Sequence, residues 1–241
     1  MAKVSKTGLS GAIGPVVFYT MDGKAYARST PGKQSAKHKK KLQPHRDLFG
    51  MTSSLSSKIA DALRTELNCP FGRHSYNALR SWVFGLYKKN PDQTNLALHI
   101  NPSALCELNP AAGLAQSFTA GISVTDKGGG MLSVSISSFN PAKDIKAPAG
   151  ATWINLKLIC ASPVYEPKSL SHFELTVVQN SFAILDQKLP DVEMELHTHA
   201  TKRALVCLAL ALEFRTGEHS NAIINIPSFL PAAVIALGNL E

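Results

Sequence analysis

Apolar and polar positions alternate with a period of two through much of the second half of this chain, and with a period near 3.6 in a shorter stretch before it. Leu132-Ser-Val134-Ser-Ile136-Ser predicts a strand with one dry and one wet face. Val192-Glu-Met-Glu-Leu-His-Thr-His199 repeats that alternation, whereas Leu205 to Leu212 is apolar at every position and predicts a central strand. Further strands are expected over Asn95–Ile100, Phe118–Val124, Met131–Ser138, Thr152–Ala161, Leu170–Val178, Val192–His199, Ala204–Phe214 and Asn221–Ile226. Turn material separates them, including Asp126-Lys-Gly-Gly-Gly130, Asn140-Pro141, Pro148-Ala-Gly150 and Thr216-Gly217. Short strands without intervening helices argue for one elaborated antiparallel β-sandwich rather than two complete immunoglobulin-sized domains. The apolar tail, Phe229-Leu-Pro-Ala-Ala-Val-Ile-Ala-Leu237, contains Pro231 and reads either as a short packed segment or as an exposed oligomer contact.

The helical period lies earlier. Leu55, Ile59, Ala62, Leu63 and Leu67 share a stripe, with Ser53 or Ser54 as a candidate cap and Asn68-Cys-Pro70-Phe-Gly72 as the stop. A helix is also predicted over Ser75–Lys89, with Leu79, Trp82, Val83 and Leu86 on one side and Arg80, Lys88 and Lys89 outside. Core packing is the commoner fate for Trp82 and Tyr87 than an aromatic binding face. Residues 33–67 as a whole favour helix, but Pro44 is expected to break or kink it, because its ring removes a backbone donor.

Before the helices, Val16-Val-Phe-Tyr19 and Lys24-Ala-Tyr-Ala-Arg28 flank Asp22-Gly23, the signature of a β-hairpin with a primed turn. Gly8, Gly11 and Gly14 invite comparison with a phosphate-binding loop, but such loops follow a strand and open a helix. Here they lead into a strand, so a flexible or closely packed lead-in is the expectation. Gly11-Ala-Ile-Gly14-Pro-Val-Val-Phe-Tyr19, Asp22-Gly23-Lys24 and Tyr26-Ala-Arg28-Ser29-Thr-Pro31 resemble the opening of an uncharacterised family of small bacterial proteins. In that family the opening runs roughly Gly-x-Val-Gly-x-Val-Val-x-Tyr-x-x-x-Gly-Lys-x-x-x-Arg-Ser-x-Pro; Ile13 stands where valine is usual. Leu205–Phe214 followed by Asn221-Ala-Ile-Ile-Asn-Ile226 looks like the family's ending. The resemblance implies a basic helical stretch followed by a β-rich half of immunoglobulin-like character. The family has no established activity, so no site residue is carried over.

Composition narrows the class. With 241 residues, 44% hydrophobic and 17% charged, the chain suits a folded and rather apolar protein, not a disordered one. No run of about eighteen apolar residues predicts a membrane span, and no apolar segment near the start reads as a secretory signal. Four dispersed cysteines, Cys69, Cys106, Cys160 and Cys207, form no Cys-x-x-Cys pair and are expected to be buried reduced thiols. The expected location is cytoplasmic, or a virion if the chain is phage-encoded.

Charge is distributed more tellingly than its sum. Residues 1–50 hold ten Lys/Arg and two Asp/Glu, while the remainder holds fifteen of each, so the whole excess of +8 sits near the N-terminus. It is densest from Lys33 to Arg46, where Lys33, Lys37, Lys39, Lys40, Lys41 and Arg46 are the candidate contacts to nucleic acid or another anionic partner. The competing reading is a solvated or protein-facing surface, since base-stacking aromatics are absent from the run itself.

Other chemistry is weak. Glu193, Glu195, His197 and His199 share one face of a strand, a spacing compatible with a divalent metal; Glu195, His197 and His199 are the best of a poor set, because the face is also simply the solvent side. Ser137, Ser138, His172 and Asp186 supply the residue types of a triad without a nucleophile elbow. No catalytic residue and no cofactor are assigned. The expectation is an α+β, mainly β protein: a glycine-rich lead-in and β-hairpin over 1–32, a basic helical segment over 33–90, and an immunoglobulin-like antiparallel β-sandwich over 91–241 that folds alone. Functionally, a non-enzymatic structural or assembly protein that self-associates or joins a larger particle or filament is set against a nucleic-acid-associated protein using residues 33–46.

Overall fold

The computed structural model describes residues 3–5, 8–21, 24–30, 36–90, 96, 98–100, 106–166, 169–198, 205–218 and 223–240. Among the described residues the chain is mostly β, with four α-helices and antiparallel sheets. It divides into two compact units, Met1–Arg46 and Asp47–Glu241.

The first unit is a four-stranded antiparallel meander of β1 (Lys3–Ser5), β2 (Gly8–Ile13), β3 (Val16–Met21) and β4 (Lys24–Ser29), followed by the opening turns of α1 (Ala36–Glu66). The expected hairpin is present: Met21 pairs with Lys24 and Tyr19 with Tyr26. Asp22 and Gly23, the predicted turn, lie outside the described residues. The glycine-rich segment is not a loose lead-in but a strand and a turn. Ile13 pairs with Val16 across Gly14-Pro15, and Gly14 takes φ +56, as the first position of a primed two-residue turn requires.

α1 runs unbroken through Pro44, contrary to the expected break. Proline removes only its own N–H and crowds the carbonyl four residues back. Lys40, Lys41 and Pro44 are exposed on that turn, where water can take the place of the donor that proline lacks. Ser53 and Ser54 are mid-helix, not caps. The neighbouring hydroxyls fold back instead: Thr52 Oγ1 donates to the Leu48 carbonyl (2.9 Å) and Ser56 Oγ to that of Thr52 (2.7 Å).

The second unit continues along the chain with the rest of α1, then α2 (Arg73–Lys89), β5 (His99–Ile100), β6 (Cys106–Glu107), α3 (Leu114–Ser117), β7 (Ile122–Gly128), β8 (Met131–Ile136) and α4 (Pro141–Asp144). It closes with β9 (Trp153–Glu166), β10 (Ser169–Ala183), β11 (Val192–His197), β12 (Leu205–Arg215) and β13 (Ala232–Asn239). One sheet has the order β10-β9-β12-β13-β5, with β6 also paired to β13; the other has the order β11-β8-β7.

Two cores lie on opposite faces of the larger sheet. Ile154, Leu156 and Leu158 of β9 and Val206, Leu208, Leu210, Leu212 and Phe214 of β12 share one core with Leu132, Val134 and Ile136 of β8 and Met194 and Leu196 of β11. Ile159 and Ala161, with Leu205, Cys207, Ala209 and Ala211, share the other with Ile59, Leu63, Leu79, Val83 and Leu86 of the helices. β12 therefore feeds side chains alternately into two dry layers, which is why its sequence is apolar throughout. The apolar tail is the buried strand β13, hydrogen-bonded to β12, β5 and β6; Pro231 stands just before it and gives its carbonyl to the Leu212 N–H at 2.9 Å.

The division at Arg46/Asp47 differs from the sequence-derived borders at 32/33 and 90/91. Ile59, Leu63, Leu79 and Val83 are fully buried against the sheet, so the helices belong to the same folded unit as the strands. Among the described residues no helix is long and apolar enough to cross a membrane.

Candidate functional site

Residues 1–46 carry ten Lys/Arg against one acidic residue, Asp22, a net of +9; residues 47–241 carry fifteen against sixteen, a net of −1. The compact N-terminal unit thus carries a strong positive excess while the second unit is nearly balanced.

Of the predicted anion contacts, Lys40, Lys41 and Arg46 lie exposed on the opening turns of α1. Lys37 and Lys39 fall on the same turns, with no side-chain placement described, and Lys33 lies outside the described residues. The helix begins without an acidic residue in its first turn, so its partly positive N-terminal end adds to the lysines rather than opposing them.

The meander contributes a second feature. Antiparallel partners share a face, so the register places Ala12, Val17, Tyr19, Tyr26 and Arg28 on one side, together with Ser10 and Lys24 by the period of two. Ile13, Val16, Phe18, Thr20, Ala25, Ala27 and Ser29 occupy the other side. On the first face the Tyr19 and Tyr26 rings stack with centroids 5.5 Å apart and planes 19° from parallel, and the Arg28 guanidinium carbon lies 5.7 Å from the Tyr19 centroid. Tyr19 and Tyr26 remain 37% and 38% exposed, and Ile13 on the opposite face 54%. The sequence names both tyrosines as strand formers only. The signal for their pairing is arithmetic: a two-residue turn at 22–23 sets residue 19 opposite 26.

The candidate metal face is organised by a lysine. Lys127 Nζ lies 2.9 Å from Glu193 Oε1 and 2.5 Å from Glu195 Oε1, and Ser133 Oγ donates to Glu193 Oε1 at 2.6 Å. The Ser133 hydroxyl and then the Lys127 ammonium hold the Glu193 carboxyl below its usual value; hydrogen bonds to Glu195 and Glu193 raise the lysine. His197 is exposed on the same strand, and His199 lies outside the described residues. Among the described residues no three His, Cys, Asp or Glu side chains converge as metal ligands.

The triad residue types do not assemble either. The Asp186 carboxylate accepts from Lys143 Nζ and from Asn140 Nδ2, both at 2.7 Å. His172 Nδ1 lies 3.2 Å from its neighbour Ser171 Oγ. A shallow groove of about 350 Å³ beside β7 and β8 is lined by Gly121, Ser123, Ser135, Ser137 and Asp191, and contains one carboxylate with no base beside it. The four cysteines are free thiols. Burial pushes Cys69 up to about 11 and Cys106 and Cys160 up to about 12, which keeps them protonated and unreactive.

The densest polar cluster is structural. Lys157 Nζ donates to the Glu66 carbonyl at the end of α1 (2.7 Å) and pairs with Glu66 Oε2 (2.8 Å), with Glu213 Oε1 at 3.8 Å. Asn68 Nδ2 and Asn155 Nδ2 donate to the two Glu213 oxygens at 2.6 and 3.1 Å. A cation on the last carbonyls of a helix satisfies acceptors that have no intrahelical donor, so this cluster fastens α1 to the sheet. Its trace in the sequence is the pair of polar residues, Asn155 and Lys157, set among Ile154, Leu156 and Leu158.

No family model, curated protein or solved structure matches this chain.

Proposed function

We propose that this is a non-enzymatic structural or assembly protein, in which a self-contained β-rich body carries an N-terminal unit that is completed by docking onto a partner. One observation carries the reading. No residue of the meander over 10–20 and 24–30 is buried, and most are exposed. Full burial of a valine, isoleucine or phenylalanine side chain is worth about 1.5–3 kcal/mol. Val16, Val17 and Phe18 are only half-buried and Ile13 stays largely open, so the unit collects little of that stabilisation. Small sheets in water need an apolar face covered by something, and a partner supplies that cover.

The pairing of two antiparallel sheets over one core supports a sandwich reading of the body, of the immunoglobulin-like kind suggested by the resemblance of the opening to small bacterial proteins.

Size-exclusion chromatography with light scattering, joined to hydrogen exchange, tests the reading. The expected result is a mass above that of one chain, or a co-purifying partner, with amides over 16–29 gaining protection in the assembled form. A single-chain mass at high concentration, with those amides already protected, would overturn it.

A further inference from the structure

We propose that a further ligand of the N-terminal unit is single-stranded nucleic acid, taken up by the face that carries Tyr19, Tyr26, Lys24 and Arg28, with the opening turns of α1 adding phosphate contacts. The inference rests on the reading that this unit is a docking element and adds a ligand for its polar face, leaving the apolar face to the protein partner proposed above.

Two independent features converge in one unit. The first is charge: +9 within residues 1–46 against −1 in all the rest, with Lys40 and Lys41 exposed and the helix end free of acidic residues. A second copy of this chain offers no comparable negative charge to meet it, because residues 47–241 are nearly balanced. A polyanion does, and release of its condensed counterions drives the association.

The second feature is the aromatic pair. Tyr19 and Tyr26 are exposed on a sheet face flanked by Lys24 and Arg28. Tyr19 and Tyr26 already stack on one another and Arg28 lies over Tyr19, so an unstacked base joins by stacking onto the end of this pair while the backbone runs past positive charge. Arg28 over Tyr19 adds a planar cation that can stack as well as pair with phosphate. Duplex DNA hides its base faces, so the tyrosines select for unpaired strands, whereas lysines alone do not.

The sheet's two sides divide the labour. Tyrosines and cations lie on one face, and Ile13, Val16 and Phe18 on the other. A bound strand therefore leaves the apolar face available for protein.

The test uses the full chain and a fluorescently labelled, mixed-sequence 20-nucleotide DNA, single-stranded or as duplex, followed by anisotropy across a salt series. Polyglutamate and anionic phospholipid vesicles serve as competing polyanions. The single strand is expected to bind more tightly than the duplex. Tyr19→Leu with Tyr26→Leu, which keeps apolar bulk but removes both rings, should weaken single-strand binding by roughly 5- to 150-fold with the salt slope unchanged. Tyr19→Phe with Tyr26→Phe, which keeps the rings and the sheet, should stay within about twofold of the native affinity. Lys24→Gln with Arg28→Gln should flatten the plot of log K against log salt by up to about 1.4, at about 0.7 per phosphate on a single strand.

Equal affinity for duplex and single strand, an unchanged affinity in the leucine variant, or equally tight capture by polyglutamate or vesicles would overturn the inference. If the protein self-associates yet binds no DNA, the inference fails while the docking reading stands. If it stays a single chain with protected meander amides and binds nothing, both fail.

Discussion

The two units of this chain solve the problem of stability in opposite ways. In residues 47–241 the large sheet is covered on both faces, and the polar residues Lys157, Glu213 and Asn155 within it bond to one another and to the end of α1. In residues 1–46 a four-stranded sheet has no buried residue over 10–20 and 24–30, and the unit's charge is all of one sign apart from Asp22. Antiparallel pairing alone does not distinguish the two, since both are antiparallel sheets. What differs is the apolar area removed from water, which is the term that makes a sheet independent of its surroundings. The contrast teaches that one chain can hold an element finished by itself beside another left to be finished by something else.

The contrast can be broken most severely by taking the body apart. A fragment of residues 91–241, which the strand pattern alone suggests is self-sufficient, is expected to lose its near-ultraviolet circular dichroism, because Ile59, Leu63, Leu79 and Val83 leave with the helices and uncover one face of the larger sheet. A native near-ultraviolet spectrum for that fragment would mean that the helical layer is dispensable. Next in size, Lys157→Met should cost about 3–5 kcal/mol in urea unfolding, since it strands the Glu213 carboxylate in a buried site. Adding Glu213→Leu should restore part of that loss, and a double variant worse than the single would show that the pair is worth more than its apolar replacement.

A matched pair of truncations sharpens the comparison directly. Leu63→Ala, at a fully buried position, should cost about 2–5 kcal/mol. Ile13→Ala, on the open sheet, should stay within about 0.5 kcal/mol by the same urea measurement at a concentration where the chain is unassembled. Equal losses at the two positions would mean that Ile13 is covered in solution.

The smallest effect concerns the surface network on β11. The Glu193 carboxyl is held below its ordinary range, first by Ser133 and then by Lys127. A depressed folded value means that this group's contribution to stability is present above the ordinary glutamate pKa of about 4.3 and is lost as the pH falls through the lower folded value. In a side-chain carboxyl NMR titration the Glu193 midpoint should lie below that of an ordinary glutamate. Ser133→Ala should raise it more than Lys127→Ala does; the reverse order would put the lysine first.

The β-rich body was legible in the sequence where one face is wet and one dry. Leu132, Val134 and Ile136, and then Val192, Met194 and Leu196, alternate because water removes ambiguity from every second position. Legibility failed where burial is complete. Ala232–Asn239 is buried at every position, so its periodicity vanishes and only Pro231 remained as a cue, which pointed away from a strand. At Pro44 the helix does not break, because on an exposed turn water can stand in for the donor that proline lacks. For the candidate surface, the lysine run was visible as charge. The Tyr19–Tyr26 pair needed the turn read as a register, and the partners of Lys157 lie 91 residues before it and 56 after it, beyond any local pattern.

The position of β13 in the chain has a consequence for synthesis. It pairs with β12 along most of that strand, yet it is made after every other strand described. Until it emerges from the ribosome, β12 presents an unpaired edge and an unbroken apolar stretch from Leu205 to Leu212. Such an edge is a template for another nascent chain. The helices made much earlier cannot shield it alone, because Ala232, Val234 and Leu237 belong to the same layer. Until β13 follows, that edge of β12 stays open to crowding or to a chaperone that holds apolar segments.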